Sequence, residues 1–212
     1  MTKPKLQIAL DQNSLAEAVA IAHKAGPIVD IVEVGTILAL QAGQTAIETL
    51  STMFPNKIIV ADAKCADAGK TVAQNAKHAG ADYLTVIDSA TLATMLAAKA
   101  VMPNIQVELY SAWTYDLARQ WIKNGIDQVI YHQSRDALLA GETWGNRDLT
   151  VVENLIDMGF RVSVTGGLTV ETIPLFAGLP IETMIAGRAI TGQNNPGKVA
   201  EEFQTVLTQE WG

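Results

Sequence analysis

One cysteine, Cys65, stands among 212 residues. A lone thiol cannot close an internal disulfide, so the chain is no disulfide scaffold, and nothing in it argues for an oxidising compartment. Charge is sparse as well. Asp, Glu, Lys and Arg make up 17% of the chain against 49% apolar residues, which excludes a disordered segment of low hydrophobicity and leaves material for a sizeable core. Positive charge is the scarcer sign: 15 Lys+Arg face 22 Asp+Glu, a formal net charge of −7 and a pI near 4.9. A duplex-nucleic-acid binder would show the opposite excess. No apolar run approaches the roughly 18 residues of a spanning helix. The run Leu6 to Leu10, stopped by Asp11, is too short for the apolar region of a secretion signal. The protein is therefore expected in the cytoplasm, with neither nucleic acid nor membrane as partner. No Pro-, Gly- or Ser-rich linker divides residues 1–212, which read as a single domain.

What is present is an alternation. Continuous aliphatic runs recur at Leu6–Leu10, Ile31–Val34, Lys57–Ala63, Tyr83–Ile87, Ile105–Leu109, Gln128–His132, Arg161–Thr165 and Thr183–Ala186. They do not alternate polar with apolar, as strands buried on both faces need not. Between them lie segments of helical spacing. Ser14 and Thr114 are placed to cap helices and Pro196 to open one, while Gly26, Gly80, Gly125 and Gly159 stand where helices should end. About eight strands, each followed by a helix, predict a (β/α)₈ TIM barrel. An open doubly wound sheet is the alternative, but no Gly-x-Gly-x-x-Gly follows the first strand. The longest connection, His132 to Arg161, is a candidate active-site loop or lid.

In such a barrel, chemistry gathers at the C-terminal strand ends. Those ends carry Asp11, Glu33, Asp62, Lys64, Glu108, His132, Gly166-Gly167 and Gly187-Arg188. Strand ends can be polar merely because they meet solvent, yet Glu33 and Glu108 interrupt apolar runs, and a buried carboxylate needs a cation. Asp62 and Lys64 are two apart, so regular strand alternation would aim both to one side, and Asp67 follows where the next helix begins. A lysine between carboxylates stays charged. The alternative, a salt-bridge network closing the barrel mouth, is a poor stabilising device. Glu33 and Asp62, on adjacent strands with no His or Cys beside them, form a hard oxygen site suited to Mg²⁺ completed by water and substrate; without an ion they would be partners of Lys64. The glycine pairs after strands seven and eight suit a phosphate cradled by backbone N–H groups, with Arg188 beside it.

Other features carry less. Gly69-Lys70-Thr71 looks like the tail of a Walker A motif, but the required glycine is Lys64. His23 and His78 fall on helices as surface residues, and Trp113, Trp121 and Trp211 read as packing.

The run Asp62-Ala63-Lys64-Cys65-Ala66-Asp67 contains the D-x-K-x-x-D motif of the orotidine 5′-monophosphate decarboxylase suprafamily. The whole chain resembles, within it, the 3-keto-L-gulonate 6-phosphate decarboxylase family. The matching pieces are Ala9-Leu10-Asp11, Ile31 to Thr36, Gln106 to Leu109, Tyr131 to Asp136, Thr165 to Leu168, Ala186 to Arg188 and Trp211-Gly212. D-x-K-x-x-D is shared with the related 3-hexulose-6-phosphate synthases; His132 and Arg135 lean toward the decarboxylase. Gln133 stands where that family has Arg, a departure expected to be peripheral.

The resemblance implies decarboxylation of a phosphorylated β-keto acid, with L-xylulose 5-phosphate and CO₂ as products. By the same resemblance, Glu33 and Asp62 bind Mg²⁺ and Lys64 stabilises an enediolate. Asp67 reaches into the partner's site of a homodimer, and Asp11 holds substrate hydroxyls or orients Lys64. Glu108, His132 and Arg135 manage the proton, and Gly166, Gly167, Gly187 and Arg188 hold the phosphate of the sugar-phosphate substrate. An aldol-type hexulose-phosphate synthase and a non-catalytic sugar-phosphate binder are the alternatives. An acidic chain cannot attract such a substrate by its overall field, so the site must do so locally.

Overall fold

Aliphatic runs too apolar to be half-exposed become parallel strands in chain order. The computed structural model describes residues 2–212, apart from the side chain of Arg135. The strands are β1 (Lys5–Leu10), β2 (Ile31–Val34), β3 (Ile58–Cys65), β4 (Tyr83–Ile87), β5 (Ile105–Leu109), β6 (Gln128–His132), β7 (Arg161–Thr165) and β8 (Thr183–Ala186). Each pairs in parallel with the next, and β8 returns to β1 with Lys5 opposite Thr183, closing a barrel. The helices are α1 (Leu15–Ala25), α2 (Thr36–Ala42), α3 (Gln44–Met53), α4 (Gly69–His78), α5 (Leu92–Lys99), α6 (Tyr115–Lys123), α7 (Arg135–Leu139), α8 (Asn146–Asp157), α9 (Arg188–Thr191) and α10 (Pro196–Trp211). This is the (β/α)₈ architecture. Among the described residues, no helix is long and apolar enough to cross a membrane.

The expectation of one helix per strand needs correction. β2, β6 and β8 are each followed by two helices, and β7 only by a 3₁₀ turn, Ile173–Phe176. Pro174 in that turn removes a backbone donor, and Gly178 and Pro180 follow, so the segment cannot extend into a regular helix. The helix ends follow their signals closely. The Ser14 and Thr114 hydroxyls accept the Glu17 and Leu117 N–H groups, and Pro196 opens α10. Gly80, Gly125 and Gly159 take φ of 97°, 71° and 94°, whereas Gly26 remains right-handed because Phe54 packs where a Cβ would stand.

The strands present different chemistry on their two sides. Outward residues such as Leu6, Ile8, Leu10, Val32, Val34, Leu84 and Val107 pack with the inner faces of the helices in one large apolar layer. Inside the barrel the apolar cluster is small, Ala9, Ile130 and Ile185. The buried polar residues Gln7, Glu33, Asp62, Thr85, Gln106, Glu108, Gln128, Ser163 and Thr183 alternate with those outward positions along the strands.

Candidate active site

A cavity of about 550 Å³ opens at the C-terminal ends of the strands. It is lined by Asp11, Glu33, Asp62, Lys64, Glu108, His132, Gly166, Gly167, Gly187 and Arg188, so ten of the residues singled out from sequence converge there. Two do not. Asp67 is exposed and outside the lining; its carbonyl accepts the Cys65 thiol. The side chain of Arg135 lies outside the described residues.

Lys64 is the hub. Its Nζ donates to Asp62 Oδ2 at 2.7 Å and to Thr36 Oγ1 at 2.8 Å, and lies 2.9 Å from Glu108 Oε2. The second carboxylate on Lys64 is thus Glu108 across the barrel, not Asp67 along the chain. Burial alone would drive the ammonium toward neutrality, but the charges of Asp62 and Glu108 win and hold its pKa above the ordinary lysine value. Asp62 is affected reciprocally. Burial works against its charge, yet Lys64, Thr36 and Thr85 keep its pKa below the usual carboxylate value.

The two residues meet for a different reason from regular alternation. β3 is bulged after Ala61, and Lys64 adopts φ 44°, in the left-handed region. Ala63 between them faces outward and is exposed.

Glu33 sits lower in the barrel, opposite Ala9 on β1 and Val60 on β3. Gln7 Nε2 donates to it. Burial first and the charge of Asp62 second push its pKa well above the usual range. Glu33, Asp62 and Glu108 are each no more than 6% exposed, and Lys64 is the one ammonium within their cluster among the described residues. The group is therefore short of positive charge. A hard divalent ion fits that deficit and the oxygen donors of Glu33 and Asp62. Among the described residues, no three His, Cys, Asp or Glu side chains form a dedicated cage. An ion here would take two carboxylates and complete its shell with water and ligand oxygens, as Mg²⁺ does.

Glu108 links this half to the next. His132 Nδ1 lies 2.5 Å from its Oε1. A carboxylate only accepts, so Nδ1 carries the hydrogen and Nε2 is left for the cavity. The Tyr110 hydroxyl also donates to Oε1, at 3.2 Å, and its ring packs 4.6 Å from His132. Burial and the adjacent Glu108 charge raise the phenol's pKa, keeping it a donor. Glu108 Oε2, though ion-paired with Lys64, takes no hydrogen bond among the described residues.

The opposite wall is backbone. Gly166 has φ 100°, and a Cβ there would stand 2.0 Å from the Gln133 carbonyl oxygen. Gln133, expected to be peripheral, is buried and lines the cavity. The long connection after β6 folds over this wall. Trp144 donates its indole N–H to Gly166 O at 2.7 Å and packs edge-on against Phe176. Gly187 opens the short helix α9, with Arg188 exposed at its start. On the β1 side, Asp11 Oδ1 accepts the Ile37 N–H at 3.1 Å, fixing that carboxylate against the start of α2.

Sequence reasoning missed Thr36, Thr85, Tyr110 and Gln7. Thr85 and Gln7 are neutral polar residues inside strand runs, and that position was their only available signal.

The comparisons agree with this geometry. The model of the orotidine 5′-phosphate decarboxylase / HUMPS family matches residues 4–203. A curated relative from Escherichia fergusonii, 3-keto-L-gulonate-6-phosphate decarboxylase UlaD, is 44% identical, with all of both chains covered. The solved structure of KGPDC from Streptococcus mutans in complex with ribose 5-phosphate superposes with a TM-score of 0.97 at 54% identity, again over 100% of both chains. A 3-hexulose-6-phosphate synthase from Salmonella typhimurium superposes with a TM-score of 0.90 at 29% identity, over 97% of this chain and 99% of that one. By sequence and by shape, the chain belongs to the orotidine 5′-phosphate decarboxylase / HUMPS family and stands within it beside the 3-keto-L-gulonate-6-phosphate decarboxylases.

Proposed function

We propose that the cavity decarboxylates 3-keto-L-gulonate 6-phosphate, releasing CO₂ and L-xylulose 5-phosphate through an enediolate. The observation that carries this reading is the buried ammonium of Lys64, kept charged by two carboxylates and facing a cavity with a glycine-built wall opposite. Breaking the bond to the carboxylate leaves its electron pair beside the ketone, and a fixed cation lowers the energy of that developing charge. Lys64 occupies the place for it. Mg²⁺, bound by Glu33 and Asp62, would add a second positive charge to polarise the substrate oxygens.

His132 is oriented by Glu108 and presents Nε2 to the cavity, so it is placed to hand a proton to the enediolate directly or through water. Glu108 Oε2 can accept from the water or from a substrate hydroxyl, and Arg135 would assist on the same side. Asp11 would hold substrate hydroxyls or keep Lys64 in line. Gly166, Gly167, Gly187 and Arg188 would receive the phosphate, with backbone N–H groups and one guanidinium offsetting the acidic surroundings. Asp67, exposed at the rim, would enter the cavity of a second copy, making a homodimer the working unit in the cytoplasm.

A side-by-side assay tests the reading. CO₂ release from 3-keto-L-gulonate 6-phosphate should far exceed condensation of formaldehyde with ribulose 5-phosphate. The reverse order would assign the chain to synthase chemistry, and neither activity would leave only a sugar-phosphate binder.

A further inference from the structure

The place where β3 leaves the barrel ladder is also where Asp62 and Lys64 are set. Ala61 pairs with Leu84 and Cys65 with Val86, so Asp62, Ala63 and Lys64 all stand opposite Thr85. Three residues against one leave the Lys64 N–H without an ordinary ladder partner, and Lys64 itself is left-handed. A side chain other than glycine adopts that conformation only where its surroundings impose it. The imposing group is one hydroxyl. Thr85 Oγ1 accepts the Lys64 N–H at 2.9 Å and donates its own hydrogen to Asp62 Oδ1 at 2.7 Å. Thr85 is fully enclosed, 2% exposed, so no bulk solvent can replace either bond. The other Asp62 oxygen is already taken by Thr36 and Lys64.

We propose that Thr85 is a positioning residue: its hydroxyl pins the β3 bulge and so aims the Lys64 ammonium and the Asp62 carboxylate into the cavity. Its methyl group does not carry this role. The inference rests on the decarboxylase reading for its kinetic readout, and a second readout is independent of turnover.

Two substitutions separate hydroxyl from shape. Thr85→Val keeps the branched outline and loses both hydrogen bonds; Thr85→Ser keeps the bonds and loses a methyl. A misplacement of about 1 Å in a reacting group costs on the order of 100-fold in rate. Thr85→Val should therefore lower kcat by about that factor with KM within roughly 3-fold, and Thr85→Ser should stay near the wild type. The isotope-labelled ammonium resonance of Lys64, protected by its partners, should shift or vanish in Thr85→Val and persist in Thr85→Ser. If Thr85→Val does not fold, Thr85→Ala replaces it in the same comparison. A packing role predicts the opposite order, with Val active and Ser impaired, and that result overturns the proposal. If the wild type itself releases no CO₂, the decarboxylase reading fails; the resonance alone then decides whether Thr85 positions Lys64.

Discussion

The outer and inner faces of the same eight strands differ more than any two segments of the chain. Outward, Leu6, Ile8, Val34, Leu84 and Val107 meet helices, and every neighbour is apolar. Inward, the alternate positions carry Gln7, Glu33, Thr85, Gln106 and Glu108, equally buried and almost all polar. Burial on the outer face stabilises the fold. Burial on the inner face costs stability unless each group finds a partner. The barrel wall thus separates residues that hold the protein together from residues that the fold must support, one position apart along every strand.

Substitution on each face should break different properties. Lys64→Ala should lower kcat by roughly a thousandfold or more, since a preorganised donor at a developing anion is typically worth about 3 kcal/mol or more; near-normal turnover in a single-turnover assay would contradict the division. On the other face, Leu6→Ala should cost about 2–5 kcal/mol of stability by leaving a cavity. Denaturant titration should show that loss, while kcat and KM of the folded enzyme stay within about twofold.

Glu33 tests whether an inner residue weakens the fold. Its pKa is raised in the folded protein, so the folded state binds the extra proton. Its stabilising contribution is full below the ordinary carboxylate pKa and is lost as pH rises through the folded value, with a slope of up to about 1.4 kcal/mol per pH unit. Asp62, with its pKa lowered, acts in the window below the ordinary value and does not mask this. Thermal unfolding without metal should show the decline in the wild type and not in Glu33→Gln. Added Mg²⁺ should restore wild-type stability above that pH and leave the variant unmoved. The smallest effect is expected at Trp144→Phe, which keeps the ring and removes the donor to Gly166 O. Loss of about 1 kcal/mol should raise KM several-fold with kcat held; an unchanged KM would show that the phosphate wall stands without the indole.

The division also explains what was legible in the sequence. Strand positions and helix caps are local, so runs such as Gln128–His132 and caps such as Ser14 and Thr114 were readable directly. Charged residues inside apolar runs advertised the cavity, as Glu33 and Glu108 did. Contacts across the barrel were not legible: the pairing of Lys64 with Glu108 depends on ring closure, not on spacing. The bulge at Lys64 has no signature in Asp-Ala-Lys-Cys, because neither glycine nor asparagine marks the left-handed residue. The short turn after β7 escapes a reading by pattern because Leu175 and Phe176 look helical until Pro174 is weighed.

Closure of β8 onto β1 has a last consequence. Every strand is flanked on both sides, so the sheet offers no free edge onto which another chain could add a strand. Templated strand-to-strand aggregation is thereby closed to the folded protein. Any assembly of intact copies must be built from helices, loops and side chains, and its specificity must come from their shape rather than from shared backbone hydrogen bonding.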